Sequence, residues 1–353
     1  MADPTAAARP GGLALLVCAA VLGLVGLHLG QAVFTPLAFA LFVIALAAPL
    51  YRRLRPGLGH VISLIVTVLV AMGVLFLFVL LFSWSLGRLS GWVLENVLRL
   101  QETYAATRDI LDARGLELEQ ILPDRFDPRW VIDPLLAILA QLRIIGNFLL
   151  LVFVFVVLGL NELEQTAARL KRIETENPRV RLSGLLGGLG RDYGTYMKVR
   201  LIATLIDMAL VYGFFRLVGL DEPEAWTVLT GVLNFIPFIG PLITAVGLTI
   251  FSAAQFADPW MVILVVGGAT AINFAIGSYV EPIIAGNALK MSAVLVLLSV
   301  FLWAIVWGIP GAFLGVQITI LCLAILAARP QTAWIADLLS GGGSAARPGS
   351  GSG

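Results

Sequence analysis

Residues 226–256 read WTVLTGVLNFIPFIGPLITAVGLTIFSAAQF. As one helix this apolar run would be about 45 Å long at ~1.5 Å per residue, against a bilayer core of about 30 Å. Its middle holds Asn234, Pro237, Gly240 and Pro241. Proline removes an amide donor and clashes with the preceding turn. Irregular backbone at membrane depth survives only where it is buried in protein or lines a wet cavity. The interruption therefore marks an interior and a solute path; the plainer reading is a tilted, kinked helix. The run 291–328, about 55 Å as a single helix, is interrupted in the same way by Gly308, Pro310, Gly311 and Gly315.

The chain around these runs is equally apolar. Hydrophobic residues make up 59% of it and charged residues 13%, with a mean hydropathy of +0.96. So few charges cannot cover a water-facing surface, where about 25% is usual. The fold class is all-α: a polytopic membrane protein of about eight hydrophobic segments, two of them broken by Pro and Gly. The segments are 13–30, 34–50, 60–84, 144–160, 201–219, 226–256, 259–279 and 291–328. With no polar mature sequence after it, 13–30 reads as a membrane helix rather than a cleaved leader. Five regions follow: 1–84 with three helices, an amphipathic insertion 85–143, 144–200 with helix four and a polar segment, the hydrophobic half 201–328, and a Gly/Ser-rich flexible tail 329–353.

Basic residues set the orientation. Arg52, Arg53 and Arg55 follow the second segment. Arg169 through Arg200 carries eight more Lys and Arg, and the turns between segments one and two and at 221–224 carry none. Eight alternating crossings put the basic loops and both termini on the cytoplasmic side of a cell (inner) membrane. The insertion then lies outside. Its apolar stripe (Leu89, Trp92, Val93, Val97, Leu100, Tyr104, Leu111) suits packing on its own protein or a contact between copies in a homo-oligomer. Trp84, Trp92, Trp130, Trp226, Trp260 and Trp334 fit an interfacial aromatic belt.

Asp207 is the most anomalous residue, since an acid at membrane depth costs about 2.5–3.5 kcal/mol on insertion scales. Arg200 lies two turns earlier on the same face and is its candidate partner. Asp207, Glu281 and Lys290 are the candidates for ion coupling, with Glu281 and Lys290 able to pair across their turn. Asn234, Pro237, Gly240, Pro241, Asn273, Glu281, Gly308, Gly311 and Gln317 are the candidates for the solute path, because broken helices present free carbonyls and amides to polar cargo. Two Cys and two His, widely separated, make neither a disulfide framework nor a metal cage. A near-neutral charge argues against nucleic acid. No hydrolase elbow, nucleotide loop or zincin motif occurs, so an enzyme and a cofactor are not expected. Any active transport is then secondary.

The sequence resembles the autoinducer-2 exporter-like transporter family of bacteria and archaea. The resemblance rests on Leu233-Asn234-Phe235-Ile236-Pro237-Phe238-Ile239-Gly240-Pro241, on Val280-Glu281-Pro282 with Gly286 and 289–291, and on Leu297-Leu298-Ser299 followed by Trp307-Gly308 and Gly311. It implies an oligomeric multi-pass carrier of a small polar solute such as autoinducer-2, or of monovalent cations exchanged for protons. Gln317 stands where the family usually has proline, and Asp207 near a usually small residue. The rival class is a membrane scaffold that binds partners through its insertion.

Overall fold

The computed structural model describes residues 10–113, 127, 129, 132–133, 136–137, 140, 145–176, 182–285, 292–327 and 332–339. Every regular element among them is helical: α1 Pro10–Leu29, α2 Gln31–Glu95, α3 Val97–Ala113, α4 Ile145–Glu176, α5 Leu182–Val218, α6 Pro223–Leu233, α7 Ile239–Phe256, α8 Pro259–Ala275, α9 Ala293–Ala327 and α10 Ala333–Leu339. One π-helical turn, Ile276–Val280, carries α8 into the short helix Glu281–Ala285. Among the described residues, six helices are long and apolar enough to cross a membrane. Lys290 and the tail beyond Leu339 lie outside the described residues, as do most residues of the stretch 130–143.

The 65-residue α2 is two arms folded on each other. Gly59, at φ 74°, makes the reversal, three residues after Pro56. Phe39 and Phe78 both lie on the ring of Phe313, at 5.5 and 6.4 Å. On a straight helix they would be about 58 Å apart. The arms, 31–58 and 60–95, pack on α4 through one cluster of Ala40, Val43, Ala47, Val68, Val152, Val156 and Leu160. The reversal is pinned by polar side chains: Tyr51 Oη lies 2.7 Å from His60 Nδ1, and His60 Nε2 lies 3.0 Å from Asn161 Oδ1. The expected segments 34–50 and 60–84 are these two arms.

The run 226–256 is not the crossing that its length and hydropathy suggested. Trp226 meets Phe251 with ring centroids 5.3 Å apart, and a Cβ on Gly247 would stand 2.8 Å from the Trp226 ring. α6 and α7 are therefore an antiparallel helical hairpin. α6, with 11 residues, reaches only about 16 Å. The chain reverses through 234–238, with Phe238 at φ 63°. Its amides are met locally: Ile236 N donates to Leu233 O at 2.9 Å and Gly240 N to Ile236 O at 3.0 Å. Both ends sit on one face, since Gln255 accepts from Asp221 N and donates to Gly219 O, each at 2.8 Å.

α9 is a second hairpin. Gly308 turns it at φ 65°, and Gly311 and Gly315 lie against the carbonyls of Trp303 and Ser299. Its tip is tied to the end of α1: Trp307 Nε1 donates to Leu27 O at 3.0 Å, and Val306 O lies 2.8 Å from His28 Nδ1. The two hairpins thus enter from opposite faces. This revises the expected alternation. A hairpin returns to the face it entered, so it inverts every later assignment until a second hairpin restores it. Glu281, placed opposite Arg200 by eight simple crossings, stands beside it.

The insertion begins as a continuation of α2 and packs on its own protein. Leu86, Leu89, Trp92, Val93 and Leu100 are buried with residues of α5, α7 and α8. Arg88 Nε and Nη2 donate to Glu222 at 2.8 and 2.6 Å, and Trp92 Nε1 donates to Asp221 Oδ2 at 3.1 Å. Trp92 and Trp226 are therefore core residues, not members of an interfacial belt, whereas Trp84, Trp260 and Trp334 are exposed.

Candidate functional site

The tip of the α6–α7 hairpin ends on a charged pair. Arg200, at the edge of the apolar part of α5, is 8% exposed. Its Nη1 donates to Glu281 Oε1, and its Nη2 donates to the main-chain carbonyl of Asn234 and, at 3.4 Å, to Asn234 Oδ1. The Asn234 amide group in turn donates to Thr204 Oγ1 at 3.4 Å. A planar guanidinium serves this geometry because its donors fan out in one plane and stay charged. One cation thus holds three elements: α5, the hairpin tip, and the short helix Glu281–Ala285 that follows α8. Close contact of Gly231 with the Met208 side chain sets the register of α6 on α5.

Asn234 and Glu281 are therefore brought together through Arg200. Arg200 does not pair with Asp207. Their shared helix face is real, yet the guanidinium is drawn to a carboxylate and a free carbonyl presented by other helices. Glu281 takes Arg200 as its ion-pair partner. Asp207 is 0% exposed, and neither carboxylate oxygen has a hydrogen-bond partner. Arg200 Nε is equally unpartnered. Arg216 pairs with Glu224 at 3.9 Å, well away from Asp207.

Pro241 and Asn273 meet elsewhere. They line a mostly apolar hollow of about 200 Å³ between α7 and α8 with Leu242, Thr244, Leu248 and Ala269. The Asn273 amide donates to Ala269 O at 3.1 Å. Pro237 shapes the reversal, and Gly240 sits buried against the Leu233 carbonyl. Gly308 and Gly311 build the α9 turn. Gln317 is 8% exposed on its returning arm, with Oε1 unpartnered.

Sequence reasoning missed the aromatic layer between the two hairpins. Phe235 of the first tip stacks on Phe313 of the second, with centroids 5.9 Å apart and planes at 26°. Phe78 closes on Phe235 at 5.8 Å, and Phe39 and Phe42 reach Phe313 at 5.5 and 5.7 Å. Five rings from α2, one hairpin tip and α9 form one contact cluster. In so apolar a sequence a phenylalanine carries no signal of its own. Thr204 was missed for a related reason: hydroxyls bond their own helix cheaply and mark nothing alone.

The arrangement is a bundle with two opposed hairpins, an ion pair of buried Arg200 with part-buried Glu281 at one tip and a cluster of aromatic rings between them. The "AI-2E family transporter" model matches residues 16–331. Among similar proteins, TqsA of Escherichia coli (strain K12), named as an AI-2 transport protein, is 24% identical over 324 residues, 91% of this chain and 93% of that protein. YhhT of the same strain, whose name classes it with transport proteins, is 25% identical over 311 residues, 87% and 88% of the two chains. A Borreliella burgdorferi protein also classed with transport proteins is 31% identical over 180 residues, spanning 51% of this chain and 48% of its own length. Matched over nearly its whole length and built as a multi-pass helical membrane protein, the chain belongs to the AI-2E transporter family.

Proposed function

We propose that the protein is a secondary carrier that exports a small polar solute, of which autoinducer-2, the AI-2 in the name of TqsA, is the leading candidate. The observation that carries this reading is the Arg200 guanidinium, buried and shared between a hairpin tip and Glu281. A broken helix in the membrane interior presents polar groups that a solute can reach once the tip moves. Arg200 and Glu281 then hold the tip until cargo competes for them. The Arg200 face is cytoplasmic in this reading. Copies associate into a homo-oligomer, for which Leu94 and Leu98, exposed at the start of the insertion, supply apolar area.

Uptake and efflux in proteoliposomes loaded with autoinducer-2 test the reading. Asn234→Ala and Glu281→Gln are expected to cut flux about tenfold or more, since hydrogen bonds to charged groups contribute about 1.5–3 kcal/mol. The protein should still elute as one species. No wild-type flux of any hydroxylated solute would sink the proposal.

Exchange of a monovalent cation for protons is the second reading, favoured by the buried, unpartnered carboxylate of Asp207. It requires Asp207→Asn to flatten the pH dependence of flux. A pH profile identical to wild type counts against it.

A further inference from the structure

We infer that the π-helical turn Ile276–Val280 is the positioning element of the Arg200–Glu281 pair: its one surplus residue brings Glu281, and not Ile283, to the inner face of the helix. This deepens the export reading. The stability measurements that test it stand without that reading, and only the flux measurement rests on it.

α8 has a well-marked inner face. Val265, Ala269 and Ile276 are buried, and Ile272 packs on the core that holds the first two. These residues recur at three- and four-residue steps, as one α-helical stripe does. The stripe looks toward α5. The Phe214 ring of α5 lies where a Cβ on Gly268 would stand, and further along Arg200 of α5 meets Glu281.

Extended as a plain α-helix, this stripe would select different residues. At about 100° per residue, Ile283 follows Val265 by about five whole turns and would fall on the stripe. Glu281 would stand about 140° from Ile276, on the outer side. The structure has the reverse. Ile283 is 80% exposed, while the Glu281 side chain is 24% exposed and bonded to Arg200. The cause lies between the two stretches. Glu281 N donates to Ile276 O, five residues back rather than four. A π turn takes up one residue more than an α turn, so the chain beyond it lags by about 100°. Glu281 then comes to within about 40° of the Ile276 line, and the same rotation carries Ile283 outward. An isoleucine faces lipid without penalty, whereas a carboxylate there is costly. The rotation therefore places both side chains well.

The local sequence suits the turn. Pro282 has no N–H to return to Ser278 O, so an α-ladder could not be completed at that point. Gly277 and Ser278 are exposed, and a Cβ on Gly277 would meet nothing within 4 Å. The surplus residue thus displaces no packing. Ser278 and Pro282 act on the pair through Glu281.

Double-mutant cycles on melting temperature, built from Arg200→Met and Glu281→Gln in the full-length protein, read the pair directly. Deletion of Ser278 removes the surplus residue. It leaves a continuous α-helix in which Glu281 keeps its face, so the coupling is expected to equal that of the wild type. In an ordinary α-helix the same deletion would swing Glu281 by about 100°. Loss of coupling in the folded deletion variant therefore overturns the inference. Exchange of two side chains, Glu281→Ile with Ile283→Glu, tests the phase without a deletion. The moved carboxylate is expected to face away from Arg200 and to show no coupling to it. Coupling regained at position 283 overturns the inference, even where the deletion variant does not fold. In proteoliposomes the deletion is expected to leave autoinducer-2 flux at the wild-type level. The exchange is expected to lower flux about tenfold, as loss of a hydrogen bond to a charged group does. A deletion variant that keeps the coupling but loses flux overturns the role as stated, because the turn would then do more than aim Glu281. With no flux in the wild type the export reading falls, and the coupling results still decide the inference.

Discussion

Gly240→Ala and Gly311→Ala are each expected to prevent the folded protein from forming. An added Cβ at Gly240 runs into the Leu233 carbonyl oxygen, and one at Gly311 into that of Trp303. Both obstacles are backbone, so no rotamer change relieves them. The hairpin arms must separate, taking with them the Trp226–Phe251 contact in one case and the Trp307–Leu27 tie in the other. Overpacking a core costs about 1–3 kcal/mol where side chains can yield, and more is expected against a carbonyl. Two further glycines calibrate the effect. Gly308→Ala meets nothing within 4 Å but must hold φ 65° with ψ −142°, a backbone region close to glycine-only, at a strain of about 1–3 kcal/mol. Gly267→Ala, in open space on α8, gains helix propensity and is expected to be neutral or stabilising by up to about 1 kcal/mol. Thermal unfolding in detergent and size-exclusion profiles of the four variants check the order. A monodisperse Gly311→Ala with wild-type melting would mean that the arms of α9 do not touch.

Arg200→Met is expected to abolish flux and to destabilise the protein by about 3–5 kcal/mol, the usual cost of removing one partner from a buried ion pair. It leaves the Glu281 carboxylate and the Asn234 carbonyl without their shared donor. Arg200→Lys keeps the charge but not the fork, so it cannot serve both acceptors in one plane; flux should fall about tenfold. The double variant Arg200→Met with Glu281→Gln separates stability from function. Removing both charges should restore much of the lost stability, since the penalty comes from the orphaned carboxylate, while flux stays absent. A double-mutant cycle on melting temperatures gives the coupling. Additive single effects would mean that the pair contributes nothing.

The residues that carry the ion pair were visible one at a time. Asn234 and Glu281 stand out as polar groups beside Pro in apolar runs, and Arg200 sits at the edge of one. Their meeting was not visible, because it joins three separate helices at one point. Asp207 shows the opposite case. Helix periodicity correctly puts it on the face of Arg200, yet periodicity ranks only neighbours on one helix, and the stronger acceptors came from others. The aromatic cluster left no trace at all: its five rings are scattered from Phe39 to Phe313 among many other apolar residues.

By itself the sequence determined the solvent, the helical fold class and the places where helices must break. Those follow from local chemistry: too few charges for water, and Pro and Gly where a continuous helix cannot survive. Only the tertiary structure decided what the breaks become. A kink and a reversal begin with the same lost hydrogen bonds, and the choice between them lies in whether the two arms can bury their faces on each other. Here Trp226 finds Phe251, and Gly311 and Gly315 let α9 close on itself, so both long runs turn back. That Glu281 comes to the same end of the bundle as Arg200 follows from that packing.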